Sequence, residues 1–336
     1  MVKITFAELQ TRVAAVLQKA GMEASRAELS ARLTAEADRD GVRTHGIARL
    51  PRFLEMCRNG AVALDAVPER VASFGALERW RGHRGPGNLA AYAAMARACE
   101  LAKEHGLGLV ALADTTHWMR AGSYGWQAAD AGCASMCWTN TMPNLPAWGS
   151  SEPTLGNNPL VMAAPRSNGE HLVLDFAMSQ FSYGTLAKYR QRGEPLPFPG
   201  GWDAEGELTT DPAAIEATYR ALPIGLWKGS GLSFVLDALA AMLSGGRLTA
   251  EVAPEALQET GLSQVFLAIA PQAVGAFAEM DAIATRAVEA LHGARPLREG
   301  ERPRYPGEST LRLRKEAMAE GVAVEDATWA AFVGLE

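Results

Sequence analysis

The chain is short of the features that mark several large protein classes. Only 4 of its 336 residues are cysteine, at positions 57, 99, 133 and 137, and no two form a C-x-x-C pair. That spacing builds neither a disulfide frame nor a zinc site, so reduced thiols are expected. Cys133 and Cys137 read as buried small hydrophobes rather than a metal pair, and no metal is expected. Long apolar runs are missing too. The longest uncharged stretch, Ala131 to Ser151, is interrupted by Pro143, Pro146 and Gly149, which excludes a membrane helix there. Positive charge is scarce relative to negative: 32 Lys and Arg stand against 38 Asp and Glu, a net charge of −6, with no long basic run. Nucleic-acid binding is not expected, because neutralised phosphates supply most of that affinity. The opening Met1-Val2-Lys3-Ile4-Thr5 leads into an amphipathic helix pattern without an apolar signal core, so a cytoplasmic location is expected.

Familiar catalytic fingerprints are absent as well. No G-x-G-x-x-G follows a strand-like run, and Gly229-Ser230-Gly231 lacks the third glycine, which disfavours a Rossmann dinucleotide site. There is no phosphate-loop, H-E-x-x-H or G-x-S-x-G pattern.

What is present describes a folded α/β chain. With 48% hydrophobic and 21% charged residues it can bury enough apolar surface to offset the entropy of ordering. The N-terminal third reads as helices. Thr5 with Glu8, and Ser25 with Glu28, have capping-box spacing, and Phe6, Leu9, Val13, Val16 and Leu17 share one helical face. Further helices are expected over 47–59, with Pro51 in its first turn or at a kink, and over 88–105. Short apolar runs at 107–113, 134–138, 160–164, 172–176 and 265–270 read as buried strands, with helices over 231–243 and 274–291 between them. Residues 191–211 read as a surface loop and 295–306 as a linker. Between Ala131 and Pro165 the only charged residue is Glu152, among Asn140, Asn144, Asn157 and Asn158. So neutral a loop is either covered by another element or lines a pocket.

Of the six histidines, His105 and His292 sit at helix C-termini, where a partial positive charge is favoured, and His83 and His171 read as exposed turn residues. His45 lies four residues before Arg49, which on a helix places both on one face. An imidazole beside a guanidinium suits a carboxylate-bearing carbonyl substrate, with Arg gripping the carboxylate and His protonating the oxygen. An exposed polar helix face explains the same letters. His117 follows the 107–113 strand, where α/β proteins set ligand-binding groups, although a capped helix start is equally compatible. Lys228 precedes a helix whose free N–H groups suit a phosphate, or simply lies in a glycine-containing loop.

Taken in order, Thr44-His45-Gly46-x-x-Arg49-x-Pro51, the run HWMRAGSYGWQAA from His117 to Ala129, CWTN at 137–140, LGNNP at 155–159, FSYG at 181–184, WKGSG at 227–231 and YPGE at 305–308 resemble the non-Rossmann malate/L-lactate/L-sulfolactate dehydrogenase family over essentially the whole chain. The HWMRAGSYGWQAA run is most similar to the branch that reduces 2,3-diketo-L-gulonate. The resemblance implies an L-sulfolactate dehydrogenase-like α/β fold, with a mixed, mainly antiparallel sheet covered by helices and a helical N-terminal region. It implies three parts: 1–115 for substrate and dimer contacts, 116–260 for the cofactor, and 261–336 returning a strand and helices to the N-terminal region. It further implies a homodimeric reductase of 2-oxo acids using NADH, with NADPH possible as the alternative. Catalytic roles fall on His45, Arg49 and His117. Cofactor contacts fall on Val173, Leu174, Asp175, Phe176, Ala177, Met178, Ser179, Trp227, Lys228, Gly307, Glu308 and Ser309. Thr44 stands where the family has Ser and Asn157 where it has Thr, and the residues after Gly307 differ from the diketogulonate branch, where a histidine follows that glycine, which bears on Ser309 as a cofactor contact. Other readings are a malate/lactate-type or cyclic imine acid reductase, a metal-dependent lyase using His45, His117 and Asp38 or Asp40, and a non-catalytic binding protein.

Overall fold

The computed structural model describes residues 1–275 and 277–336. The N-terminal part holds β1 (Val2–Ile4), α1 (Phe6–Lys19), α2 (Ala24–Arg39) and α3 (Leu50–Arg58). Thr5 caps α1 by accepting the Glu8 N–H at 3.2 Å. The expected Ser25/Glu28 box does not form. Glu23 caps α2 instead, its carboxylate taking the N–H groups of Ser25 and Arg26, because a carboxylate one residue outside the helix reaches both free donors. Pro51 occupies the first turn of α3 without a kink, where its missing N–H has no partner to lose.

The chain then builds a sheet. In order come β2 (Glu69–Phe74), β3 (Leu77–Arg81), α4 (Gly87–His105), β4 (Leu107–Thr116), α5 (Gly122–Asp130), β5 (Ala134–Thr139), β6 (Leu160–Ala164) and β7 (Leu172–Phe176). Next are α6 (Tyr183–Arg192), the short pair β8 (Gly201–Trp202) and β9 (Leu208–Thr209), α7 (Pro212–Thr218), α8 (Trp227–Ser244) and β10 (Thr260–Ile269). Finally come α9 (Phe277–His292), α10 (Glu308–Glu320), β11 (Val322–Val324) and α11 (Asp326–Val333). The seven-stranded sheet has the order β2-β3-β4-β10-β5-β6-β7, and every neighbouring pair is antiparallel except β3 with β4. The mixed, mainly antiparallel sheet expected for the chain is therefore present.

Alternation along the central strands decides the layers. Val110, Leu112 and Phe266 turn to the face covered by α4 and α5, while Ala111, Val265 and Trp138 turn to the face that packs with α8 and α6. Both faces are covered, so these strands read as continuous apolar runs. A second core joins α1, α2 and α3 to β1, β11 and α11, and β1 pairs with β11 in the register Val2↔Val324. The opening residues are thus a strand that closes on the far end of the chain.

Two further local expectations are corrected, and one element is new. Residues 191–211 include the β8–β9 ribbon. His171 is 5% exposed rather than a surface turn residue, because its Nδ1 accepts the Arg166 N–H and its Nε2 meets Asp130. The β2–β3 hairpin has no apolar alternation to announce it, since every residue of β2 is exposed at the sheet edge.

Candidate active site

His45 and Arg49 do not share a continuous helix. Two single 3-10 turns, Arg43–His45 and Ile47–Arg49, are separated by Gly46. The break has a local cause. The buried carboxylate of Asp38 on α2 accepts the Ile47 N–H at 2.7 Å, and a Cβ at Gly46 would collide with that carboxylate. Burial pushes the Asp38 carboxyl up to about 7, against the opposing pull of the Ile47 N–H and Arg43. The tight double turn still delivers both side chains to one cavity.

His117 enters from the end of β4. Its Nδ1 accepts the N–H of Met119 at 3.0 Å, so the neutral ring carries its proton on Nε2. Met119 itself adopts φ +63°, a conformation that a non-glycine side chain holds only when its surroundings enforce it. The rings of His45 and His117 stack with centroids 5.7 Å apart and planes 16° from parallel. His45 Nδ1 lies 3.0 Å from the Thr44 hydroxyl. Burial, and then the positive charges of Arg49 and Arg120, pull the His45 imidazole down to about 3. Burial with Arg49, His45 and Arg52 drives His117 well below its ordinary value. The cleft therefore presents a pair of neutral imidazoles at neutral pH.

The pair stands where two lobes of a cleft meet, each of about 450 Å³. Thr44, His45, His117, Thr141, Asn157 and Ser182 line both lobes. One lobe is polar and charged. Its inner wall holds Arg49 and Arg52, and both guanidiniums lean on the buried carboxylate of Glu259, at 3.6 and 2.8 Å. The other lobe runs between β7, the start of α5 and Gly307. Because β7 is the outer strand of the sheet, its edge beside this lobe has no strand partner, and the Pro306 carbonyl takes the Val173 N–H there at 2.9 Å.

The neutral loop proves to have two jobs. Asn140 and Asn158 are buried staples: Asn140 bonds Asp237 and Ser263, and Asn158 bonds Thr141 and Ser233. Asn144 and Asn157 line the charged lobe, with Asn144 Oδ1 accepting the Asn157 N–H at 2.8 Å.

The residues expected to touch a cofactor are distributed unevenly. Val173, Leu174, Asp175, Phe176, Ala177 and Gly307 line the second lobe. Asp175 is buried and accepts the Gly122 N–H at 2.7 Å, and burial raises its carboxyl despite Arg120 nearby. Met178 and Ser179 are buried one step beyond the lobe, where the Met178 N–H bonds Asn157 O. Glu308 turns to His292 and Arg302, and Ser309 accepts a bond from Arg304. Trp227 and Lys228 form the exposed first turn of α8, outside both lobes. Lys228 thus lies within the helix rather than ahead of it.

Arg52, Glu259 and Arg120 escape a reading along the chain. Arg52 and Glu259 are 207 positions apart and meet only in the fold. Arg120 is 5% exposed and joins Arg39 and Arg314 around the carboxylate of Asp40. Burial would raise that carboxyl, but the guanidiniums hold it well below the ordinary range. The two carboxylates of the lyase reading are thereby committed, Asp38 to a backbone N–H and Asp40 to three arginines. No group of three or more candidate metal ligands occurs among the described residues.

The cleft thus sets an imidazole pair between a lobe with a cationic inner wall and a second lobe of equal volume along a sheet edge. The comparisons name the class. A family profile described as malate/L-lactate dehydrogenase matches residues 4–333. The chain is 44% identical over 333 residues to the 2,3-diketo-L-gulonate reductase of Citrobacter koseri, covering 99% of this chain and 100% of that one. Among solved structures, sulfolactate dehydrogenase from Methanocaldococcus jannaschii superposes with TM-score 0.91 at 24% identity, covering 99% and 96% of the two chains. The delta1-piperideine-2-carboxylate reductase of Pseudomonas syringae pvar. tomato gives 0.90 at 27%, with both chains fully covered. The chain belongs to the malate/L-lactate dehydrogenase family, is an oxidoreductase of 2-hydroxy and 2-oxo acids with a nicotinamide cofactor, and has the sulfolactate dehydrogenase-like fold.

Proposed function

We propose that this protein reduces 2,3-diketo-L-gulonate or a close 2-oxo acid, with NADH as cofactor. The observation that carries the reading is the stacked His45–His117 pair at the meeting of a carboxylate-binding lobe and a second, sheet-edge lobe. Full-length similarity to a diketogulonate reductase supports the substrate.

Arg49, helped by Arg52, holds the substrate carboxylate in the charged lobe. His117, with its proton on Nε2, orients the carbonyl, and His45 gives a proton to the oxygen as negative charge develops there. The second lobe suits the nicotinamide end of the cofactor, with the outer edge of β7 and Gly307 as its walls. When bound, the cofactor supplies the hydride that adds to C2. Burial makes His45 hard to protonate, so the anionic substrate, by screening Arg49, is what allows the ring to take up its proton.

A homodimer accords with α8, whose outer face leaves Trp227, Phe234, Val235 and Met242 exposed, an apolar surface of the kind a second copy covers. Four free thiols suit a reducing compartment such as the cytoplasm. No described helix is long and apolar enough to cross a membrane.

The test is loss of NADH and NADPH absorbance with 2,3-diketo-L-gulonate, pyruvate, oxaloacetate and piperideine-2-carboxylate. Highest kcat/KM with diketogulonate and NADH is expected. Preference for the cyclic imine, or no turnover of any acid, would overturn the proposal.

A further inference from the structure

The charged lobe extends well beyond the room a three-carbon acid needs. Its volume of about 450 Å³ is many times the space one water needs. Arg190 on α6, Glu216 on α7 and Tyr219 line this lobe but not its neighbour, whereas the histidine pair lines both. Arg190 and Tyr219 are also nearer the opening, 51% and 45% exposed against 20% for Arg49, while Glu216, 23% exposed, lies beneath the Arg190 guanidinium it pairs with.

The charges of the lobe can be counted. Its lining carries three guanidiniums, Arg49, Arg52 and Arg190, and two carboxylates, Glu216 and Glu259. Glu259 is shared by Arg49 and Arg52, while Glu216 is paired with Arg190. The imidazoles are neutral, so one positive charge remains, and it sits on the inner wall. The outer end is neutral overall but rich in hydrogen-bonding groups: donors on Arg190, acceptors on Glu216 and the Tyr219 hydroxyl that does both. Tyr219 is held there at φ +54°, an enforced left-handed conformation, and its ring packs against Tyr183 at 5.6 Å.

From this arrangement we infer that the lobe is matched to a monocarboxylate with an uncharged, hydroxylated tail, and that the Arg190–Glu216 pair with Tyr219 is the specificity element that reads the tail. Hydroxyl groups exploit both members of the pair, since each hydroxyl gives and accepts a hydrogen bond. A second carboxylate meets Glu216 as well as Arg190, and like-charge proximity disfavours it. The malate-type dicarboxylates named by the wider family are therefore the substrates this lobe selects against. The inference rests on the reductase reading and sharpens its substrate class.

Three 2-oxo acids separate the terms: diketogulonate with a hydroxylated tail, pyruvate with none and oxaloacetate with a charged one. Steady-state constants are measured for the wild type, Arg190→Gln and Glu216→Gln, with circular dichroism confirming that each variant folds. Wild type is expected to favour diketogulonate over oxaloacetate. Arg190→Gln should lower the diketogulonate-to-pyruvate ratio of kcat/KM about ten-fold, chiefly through KM, the size of one charge-assisted hydrogen bond. Glu216→Gln should raise the oxaloacetate-to-diketogulonate ratio about ten-fold. A wild type that reduces oxo acids but favours oxaloacetate, or ratios that neither substitution moves, overturns the inference alone. A wild type that reduces none of the acids overturns the reductase reading and the inference with it.

Discussion

Raising the pH should slow carbonyl reduction in proportion to the fall in proton concentration, with no plateau near the ordinary histidine range. The His45 imidazole is pulled down to about 3 by burial, Arg49 and Arg120. At pH 7 that is a gap of about four pH units, so protonating the ring in the free enzyme costs about 5 kcal/mol at about 1.36 kcal/mol per unit. The active form for reduction is then the minor one across the accessible range. Because kcat/KM reports the free enzyme, its logarithm should decline with slope near −1 from about pH 5 to about pH 8. The reverse reaction, oxidation of the hydroxy acid, needs the neutral ring as a base and should be flat over the same range. The assay is initial-rate kinetics in both directions at low substrate in constant ionic strength buffers. A reduction profile that levels off below about pH 6.5 would refute the reasoning, since it would mean that the ring titrates as an ordinary histidine.

Three further outcomes follow from the packing. Asp38 has a folded value of about 7 against an ordinary 3.8, so its stability contribution is intact below the ordinary value and is lost as pH rises through 7. Asp38→Asn, which keeps an acceptor for Ile47 N–H, should therefore gain on wild type by up to about 4 kcal/mol between pH 4 and pH 8 in urea unfolding, and a pH-independent difference would contradict this. Asp40→Ala leaves Arg39, Arg120 and Arg314 without their shared carboxylate and should cost about 3–5 kcal/mol in the same assay, whereas a loss below about 1 kcal/mol would show that the arginines find other partners. Gly307→Ala places a Cβ at φ +103°, 3.1 Å from His171 O and 3.2 Å from Val173 N; it should cost about 1–3 kcal/mol and weaken NADH binding in a fluorescence titration, and unchanged binding would remove Gly307 from the cofactor lobe.

Much of the scaffold is legible along the chain because burial on both faces of a sheet leaves continuous apolar runs, and β6 and β7 appear at the bounds those runs suggest. The exposed β2 leaves no such trace, and β1 and β11 are too short to show a period without each other. In the cleft, His45, Arg49 and His117 stand out as chemistry-bearing residue types beside glycines and strand ends. Their geometry does not: the His45–Arg49 spacing suits an α-helix, and only the contact between Asp38 and Gly46 explains why the backbone breaks there instead. Arg52 and Glu259 are unreadable for a different reason, since an ion pair across 207 positions has no local signature. The asparagines illustrate a third limit. Four lie in one neutral loop, yet two are interior staples and two face the cavity, a division set by Asp237, Ser233 and Ser263 on elements far along the chain.

The central claim is that His45 protonates the carbonyl oxygen while the nicotinamide site is built independently of it. Its most direct test pairs two measurements on His45→Ala: NADH-dependent reduction of 2,3-diketo-L-gulonate, and NADH binding by fluorescence. A loss of kcat of about 10²- to 10⁴-fold with binding retained is expected. Near-wild-type turnover by the variant would contradict it.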